Sequence, residues 1–272
     1  MSLPLAAITE AESGRNLHWS SVSTDYLEYR PTYPRSYFDL LHHLGIGLPK
    51  QELLDLGCGP GTLAVPLSLR GARVTAIDLS EEQIAAGREA ANRADVRLDF
   101  RVSSAEQTGL PDHRFDVVTA SMCWGYFDKK KIVPEVVRLL RPRGLLLVST
   151  LLWTEDGDPI AAKTNELIHR YNPGFTPDRR GTVPELLPEW SKKDFRLRSF
   201  HEYRTTLPFT AASWRGRIRA SRWIGAALSL EETAKFDRDH RLLLEETTSP
   251  CFDIAHEIRL QIFETLPVPP SN

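Results

Sequence analysis

The sequence predicts an α/β protein with a mostly parallel sheet covered by helices on both faces. Three observations predict it. Short apolar runs alternate with helical stretches over about 100 residues, the pattern of consecutive βαβ units. The first run ends in a glycine-rich turn, Asp55-Leu-Gly57-Cys58-Gly59-Pro60-Gly61-Thr62. The second run ends in an acid, Asp78.

The elements follow in order. Residues 1–24 are polar, and a Tyr/Pro-rich stretch from Tyr26 to Pro34 leads into a helix expected over 36–48, closing at Gly45 or Gly47. Leu53–Leu56 is a buried strand and Thr62–Leu69 a helix. Arg73–Ile77 is the second strand, and Glu81–Ala91 a helix capped by Ser80. Leu98–Val102 and Phe115–Ala120 are the third and fourth strands. A helix over Lys130–Leu140 stops before Pro142 and Gly144, and Leu145–Thr150 is the fifth strand. After Leu152 the alternation breaks. Residues 153–198 carry five prolines (159, 173, 177, 184, 188) and read as an insertion. A strand is expected over 199–208, and helices over 211–224 and 230–246. The second helix opens with a Ser229-x-x-Glu232 capping box. Phe252–Phe263 carries Ile254, His256, Ile258, Leu260 and Ile262 at period two, a final strand with His256 packed in the sheet. The expected divisions are 1–48 (N-terminal segment and cap helix), 49–152 (nucleotide-binding core), 153–198 (insertion or lid), 199–265 (C-terminal part of the core) and 266–272 (tail).

The 272 residues carry 34 Lys plus Arg against 36 Asp plus Glu, a net charge of −2, so no basic excess points to nucleic acid. Cys58, Cys123 and Cys251 fit neither a disulfide framework nor a metal pattern, and no His shows metal spacing. The N-terminus lacks a basic signal region, and no apolar stretch approaches the ~18 residues of a membrane span. A cytoplasmic protein with no metal, no membrane partner and an open oligomeric state is expected.

The glycine turn suits a nucleoside ligand. Glycines admit positive φ and close approach, and the next helix offers free N–H groups. Gly57-x-Gly59-x-Gly61 followed by Thr62 departs from the dinucleotide pattern, which wants a third glycine later. Asp55 suits a cationic amino-acid group better than a pyrophosphate. Asp78, at the expected span of about 20 residues, is placed for ribose hydroxyls. The polar loop Ser103-Ser104-Ala105-Glu106 faces the adenine end.

LLDLGCGPG (53–61), VTAIDLS (74–80), SSAEQTGLPDHRFDVVTAS (103–121) and VVRLLRPRGLLLVST (136–150) together resemble the class I S-adenosylmethionine (SAM)-dependent methyltransferases. Tyr29-Arg-Pro-Thr-Tyr-Pro34 and the 213–229 tail resemble small-molecule, bacterial members near the trans-aconitate methyltransferase-like branch. The resemblance implies a Rossmann-like, seven-stranded, mostly parallel sheet with an antiparallel last strand, an N-terminal helical cap and a lid after strand five. It implies SAM as cofactor, a small-molecule acceptor and a place in secondary metabolism. Asp55, Gly57, Cys58 and Gly59 would line its methionine part. Asp78 would hold ribose, Leu79 the adenine face, and Ser104, Ala105 and Glu106 the adenine amine. Ser121 would flank the methionine, and Tyr29 and Arg30 would close over the cofactor. Gly125 stands where members of the branch carry His in an aromatic–His pair.

Trp124, Tyr126, Phe127 and Trp153 lie at carboxyl ends of strands, where open α/β sheets bind ligands, and are the expected acceptor contacts. Tyr126 and His201 are the candidate catalytic groups. His42 and His43 are expected solvated or capping, and His240 at the surface. Arg215, Arg217, Arg219 and Arg222 form either a solvated basic helix face or a carboxylate contact. Two other classes stay open: a SAM-binding enzyme that does not methylate, such as a cyclase, and an NAD(P) oxidoreductase.

Overall fold

In the computed structural model, residues 25, 28, 29, 31–176 and 185–266 are described. Their elements run α1 (Arg35–His43), β1 (Glu52–Leu56), α2 (Ala64–Leu69), β2 (Arg73–Asp78), α3 (Glu81–Arg93), β3 (Asp99–Val102), β4 (Phe115–Ser121), α4 (Lys129–Leu139), β5 (Leu140–Trp153), α5 (Pro159–Tyr171), β6 (Phe195–Thr210), α6 (Ala211–Arg219), α7 (Leu230–Thr247) and β7 (Cys251–Thr265). The strands form one seven-stranded sheet in the order β3-β2-β1-β4-β5-β7-β6. β1 pairs in parallel with β2 and β4, β2 with β3, and β4 with β5, while β7 is antiparallel, as a Rossmann-like fold with a reversed final strand requires. The order reverses between β1 and β4, and the carboxyl ends of those two strands bracket a crevice where such sheets take ligands.

The chain divides into two compact units. One comprises Thr32–Thr150, Val183–Glu202 and Arg259–Asn272, the other Met1–Pro31, Leu151–Thr182 and Tyr203–Ile258. The first has a core of Leu54, Phe115, Val118, Val136, Leu146 and Phe263, all fully buried. Its central strands are buried on both faces, which is why they read as unbroken apolar runs. β5 begins at Leu140, directly where α4 ends, five residues earlier than the apolar run suggests. Phe115 pairs with Leu140 and Val117 with Leu145, so Arg141–Gly144 are taken up in a bulge that admits Pro142. β6 is likewise longer than the expected 199–208, because its outer residues alternate exposed and half-buried and give no apolar run.

In the second unit, α6 ends at Arg219, five residues before the expected 224, and a turn continues with the Ile224 amide bonded to the Ser221 carbonyl. Its arginines do not form a solvated face. Arg215 and Arg219 both donate to Asp237 of α7, Arg219 also grips Asp25 at 2.8 Å, and Arg217 is buried with its guanidinium 4.9 Å above the Trp153 ring. The carboxylates that Arg215 and Arg219 meet are the chain's own.

His240 is fully buried, contrary to the surface position expected of it. Phe236, His240 and Leu244 lie four residues apart and form the inward stripe of α7, which the surrounding charges hide in the sequence. The His240 ring meets Phe236, and Thr164 hydroxyl pairs with its Nε2 at 3.3 Å. Burial pushes its pKa down to about 3. His256 is also buried, stacked on Phe209, and burial brings it down to about 4. Both rings are neutral in the fold, whereas the unfolded chain protonates them below about 6.5. Their contribution to stability is therefore complete above 6.5 and lost progressively as pH falls toward the folded values. At pH 5.5 each should cost about 1 kcal/mol. Thermal unfolding from pH 7.5 to 5.5 is expected to show a smaller fall in Tm for H240Q and for H256Q than for the unsubstituted chain. Equal falls would contradict this.

Candidate active site

β1 places Asp55 among buried leucines and then leads into the glycine turn. Gly57, Gly59 and Gly61 hold φ of +57°, +54° and +78°, values that favour glycine. A Cβ on Gly57 would stand 3.0 Å from both Cβ and Sγ of Cys123. The turn is fixed to β2 by its amides: Cys58 N–H donates to the Ile77 carbonyl and Gly59 N–H to Asp78 Oδ2, each at 2.9 Å. Asp78 Oδ1 accepts from Ser80 N–H at 2.9 Å. A carboxylate has about four acceptor positions, so two remain for a ligand's hydroxyls. Leu79 beside it is 72% exposed, an apolar surface with no cover of its own.

Asp55 is 2% exposed. Its Oδ1 accepts from Thr119 Oγ1 at 2.7 Å, while its buried Oδ2 has no hydrogen-bond partner. Burial raises its pKa to about 7, against the Thr119 bond and with a smaller push from Asp78. A buried carboxylate left this way is costly, and a cation with N–H donors relieves it. These acceptor oxygens thus fit the ammonium end and the ribose hydroxyls of SAM. Cys58, also buried, has its thiol raised by burial, so it is an inert wall here.

The loop after β3 is tied internally. Ser104 Oγ donates to Glu106 Oε2 at 2.8 Å, and Glu106 Oε1 accepts the Asp128 amide at 3.3 Å, while Ala105 is buried. At the end of β4, Ser121 Oγ lies 2.5 Å from Ser149 Oγ, which bonds the buried Tyr37 hydroxyl at 2.7 Å. Met122 takes φ of +66° and donates its amide to the Ser149 carbonyl at 2.8 Å. Cys123 Sγ donates to the Leu56 carbonyl at 3.1 Å.

The expected acceptor contacts separate. Trp124 is buried in the core, 4.9 Å from the Trp190 ring, instead of facing outward. Tyr126 is half exposed and Phe127 half-buried. Trp153 belongs to the other unit, where its indole N–H donates to Asn165 and its ring packs on Trp214. His201 is half-buried on β6 with Nε2 lacking a hydrogen-bond partner. Tyr29 also lies in the other unit, so tightly against Gly216 that a Cβ there would come within 2.0 Å of its ring. Arg30 lies outside the described residues. Thr119, Tyr37, Ser149 and Lys129 were not marked by the sequence; an isolated Thr or Ser in a buried strand and a Lys in a run of three carry no local signal. Among the described residues no group of three or more His, Cys, Asp or Glu forms a metal site.

Residues 54–148 match the family model described as "Methyltransferase domain". Those residues are a methyltransferase domain. SAM is the methyl donor such a domain implies. The domain also aligns with ubiquinone biosynthesis O-methyltransferases: 33% identity to that of Bradyrhizobium diazoefficiens, over 52% of this chain and 51% of the relative, and 36% to that of Xanthomonas oryzae, over 53% and 62%. The aligned part thus spans about half of either chain for the first of these. Among solved structures, a protein of Anaeromyxobacter dehalogenans provisionally named a type II methyltransferase shares the fold with a TM-score of 0.62 at 22% identity, over 88% of this chain and all of that one. The YcgJ protein of Bacillus subtilis gives 0.53 at 19%, over 85% and 98%. No described helix of the protein is long and apolar enough to cross a membrane.

D55N removes the buried charge but keeps the shape. Between about pH 4 and 7 the folded Asp55 holds a proton that the unfolded chain has released, so its ionisation destabilises the ligand-free protein as pH rises. D55N is expected to raise the Tm of the free protein at pH 8, roughly 2–4 °C for each kcal/mol relieved, and to change it little at pH 4. Differential scanning calorimetry at the two pH values checks this; a lower Tm at pH 8 would contradict it.

Proposed function

We propose that the protein is a SAM-dependent methyltransferase acting on a small-molecule acceptor. The observation that carries the reading is the bare, buried Oδ2 of Asp55 beside an Asp78 that still has acceptor capacity. Asp55 would hold the amino group of the cofactor's methionine part, Asp78 its ribose and Leu79 its adenine, with Gly57 and Gly59 giving the backbone close approach. Ser104, Ala105 and Glu106 would border the adenine amine, and Ser121 the methionine side.

Bound SAM supplies an activated methyl group on a sulfonium. The protein's task is then to fix the acceptor in line with that methyl, and such alignment alone is worth roughly 7–11 kcal/mol. Tyr126 and Phe127 border the acceptor side. The Tyr126 hydroxyl and His201 Nε2 are the candidate groups for the acceptor's proton, needed only where that acceptor ionises reluctantly. Because the relatives are named O-methyltransferases, an oxygen acceptor is the first choice. Near-neutral net charge supports a small molecule over a nucleic acid, and three free cysteines support a reducing, cytoplasmic setting.

A second reading is favoured by Gly125, which stands where the resembling branch has its His: a SAM-binding enzyme that does not methylate. An NAD(P) oxidoreductase is disfavoured by Asp55, whose bare carboxylate would face a pyrophosphate.

Calorimetric titration separates these. S-adenosylhomocysteine is expected to bind and NADH not to, with D55N and D78N each weakening the former at least about tenfold, the loss of a charge-assisted hydrogen bond or two. Binding of NADH, or unchanged affinity in both variants, would overturn the cofactor reading. With radiolabelled SAM, label should pass to a small phenol or carboxylate; consumption of SAM with no labelled acceptor supports the second reading, and faster transfer to bulk RNA overturns the acceptor class.

A further inference from the structure

The loop between β4 and α4 carries Cys123, a 3₁₀ turn (Trp124–Tyr126) and Phe127. It lies against the glycine turn: the position of a Gly57 Cβ is 3.0 Å from Cys123 Sγ and 3.5 Å from the Phe127 ring. The first residue of α4, Lys129, folds back on this loop. Its ammonium donates to the carbonyls of Trp124 at 2.5 Å and of Phe127 at 2.7 Å, and stands 5.2 Å from the centre of the Trp124 ring. Two of its three donors are thereby spent on main chain, with the indole face adding cation–π attraction.

This is an unusual use of a lysine. Neighbouring Lys130 and Lys131 are both exposed, and Lys131 makes an ordinary ion pair with Asp128. Lys129 instead has no carboxylate within ion-pair distance among the described contacts, and burial holds its pKa below the usual lysine value. A partly desolvated ammonium is tolerated only if its donors are well satisfied. Here two carbonyls satisfy it, and they belong to the two ends of one short turn. The ammonium therefore clamps both ends, so Tyr126 and Phe127 stand in one arrangement against the glycine turn.

We infer that Lys129 is a positioning residue that sets the loop after β4 against the glycine turn before any ligand arrives, through its bonds to the Trp124 and Phe127 carbonyls. This rests on the proposed reading of the turn as a SAM site. A preset wall is worth affinity, since binding then does not have to order the loop.

The Tyr126 and Phe127 amides are bonded within the turn, to the Cys123 and Trp124 carbonyls, so their hydrogen exchange reports on it directly. K129M keeps a stem of similar bulk without the charge, and K129R restores a charged donor. In the ligand-free protein, K129M should speed exchange of the Tyr126 and Phe127 amides at least about tenfold and leave Val136–Leu139 of α4 unchanged. Its dissociation constant for S-adenosylhomocysteine should rise about tenfold. K129R should recover most of both. Wild-type exchange and affinity in K129M would overturn the inference. So would faster exchange throughout α4 without recovery in K129R, which would make Lys129 a support of the helix only. If K129M does not fold, K129Q is measured by the same criteria. Should the unsubstituted protein fail to bind S-adenosylhomocysteine, the SAM reading falls, and the exchange comparison still decides what Lys129 does.

Discussion

A single carboxylate, satisfied on one oxygen and bare on the other, organises the methyltransferase domain. Asp55 sits in β1 beside the buried Leu53, Leu54 and Leu56, and its neighbour in β4, Thr119, fixes which oxygen is spoken for. Nothing in the apolar core gains from a charge there, and burial, chiefly, raises its pKa to about 7 in spite of the Thr119 bond. Natural folds keep such groups where a ligand completes them. The features around it are arranged to the same end. The glycine turn removes side chains from the space above, and Asp78 anchors that turn while reserving part of its own capacity.

The opposite wall is built by hydroxyls and one ammonium. Tyr37 reaches from α1 to Ser149 at the end of β5, and Ser149 holds both the Ser121 side chain and the Met122 amide. A methionine at φ of +66° is strained by about 1–2 kcal/mol, and it persists because Ser149 and the following turn determine the backbone there. β1, β4, β5 and the N-terminal helix thus converge on one rim, where the fold spends local stability on geometry.

Much of this was legible in the chain. The strands β1, β2 and β4 announced themselves because strands buried on both faces are nearly continuous apolar runs, and the glycine turn with its acid on the next strand is a pattern with a mechanical reason. What stayed hidden depends on partners distant in sequence. The bulge that starts β5 at Leu140 is a matter of pairing with Phe115, and no local residue records it. His240 looked like a surface residue because its helix is charged on most sides, while three inward positions carry the packing. Trp124 looked like a ligand contact from its place after β4; its burial follows from Trp190, far along the chain. Lys129 is indistinguishable from its two neighbours until the carbonyls of the preceding turn are seen to point at it.

Phe100, on the short β3, packs against two glycines from different segments. Ideal Cβ positions on Gly61 and Gly87 would stand 3.1 Å and 2.6 Å from its ring. One glycine closes the turn before α2, the other lies inside α3, so a single aromatic wedge sets the spacing of both segments. Anyone seeking to harden this protein by filling gaps in its interior would find no room at that wedge: extra bulk at either glycine would drive the ring aside and shift the glycine turn against α3.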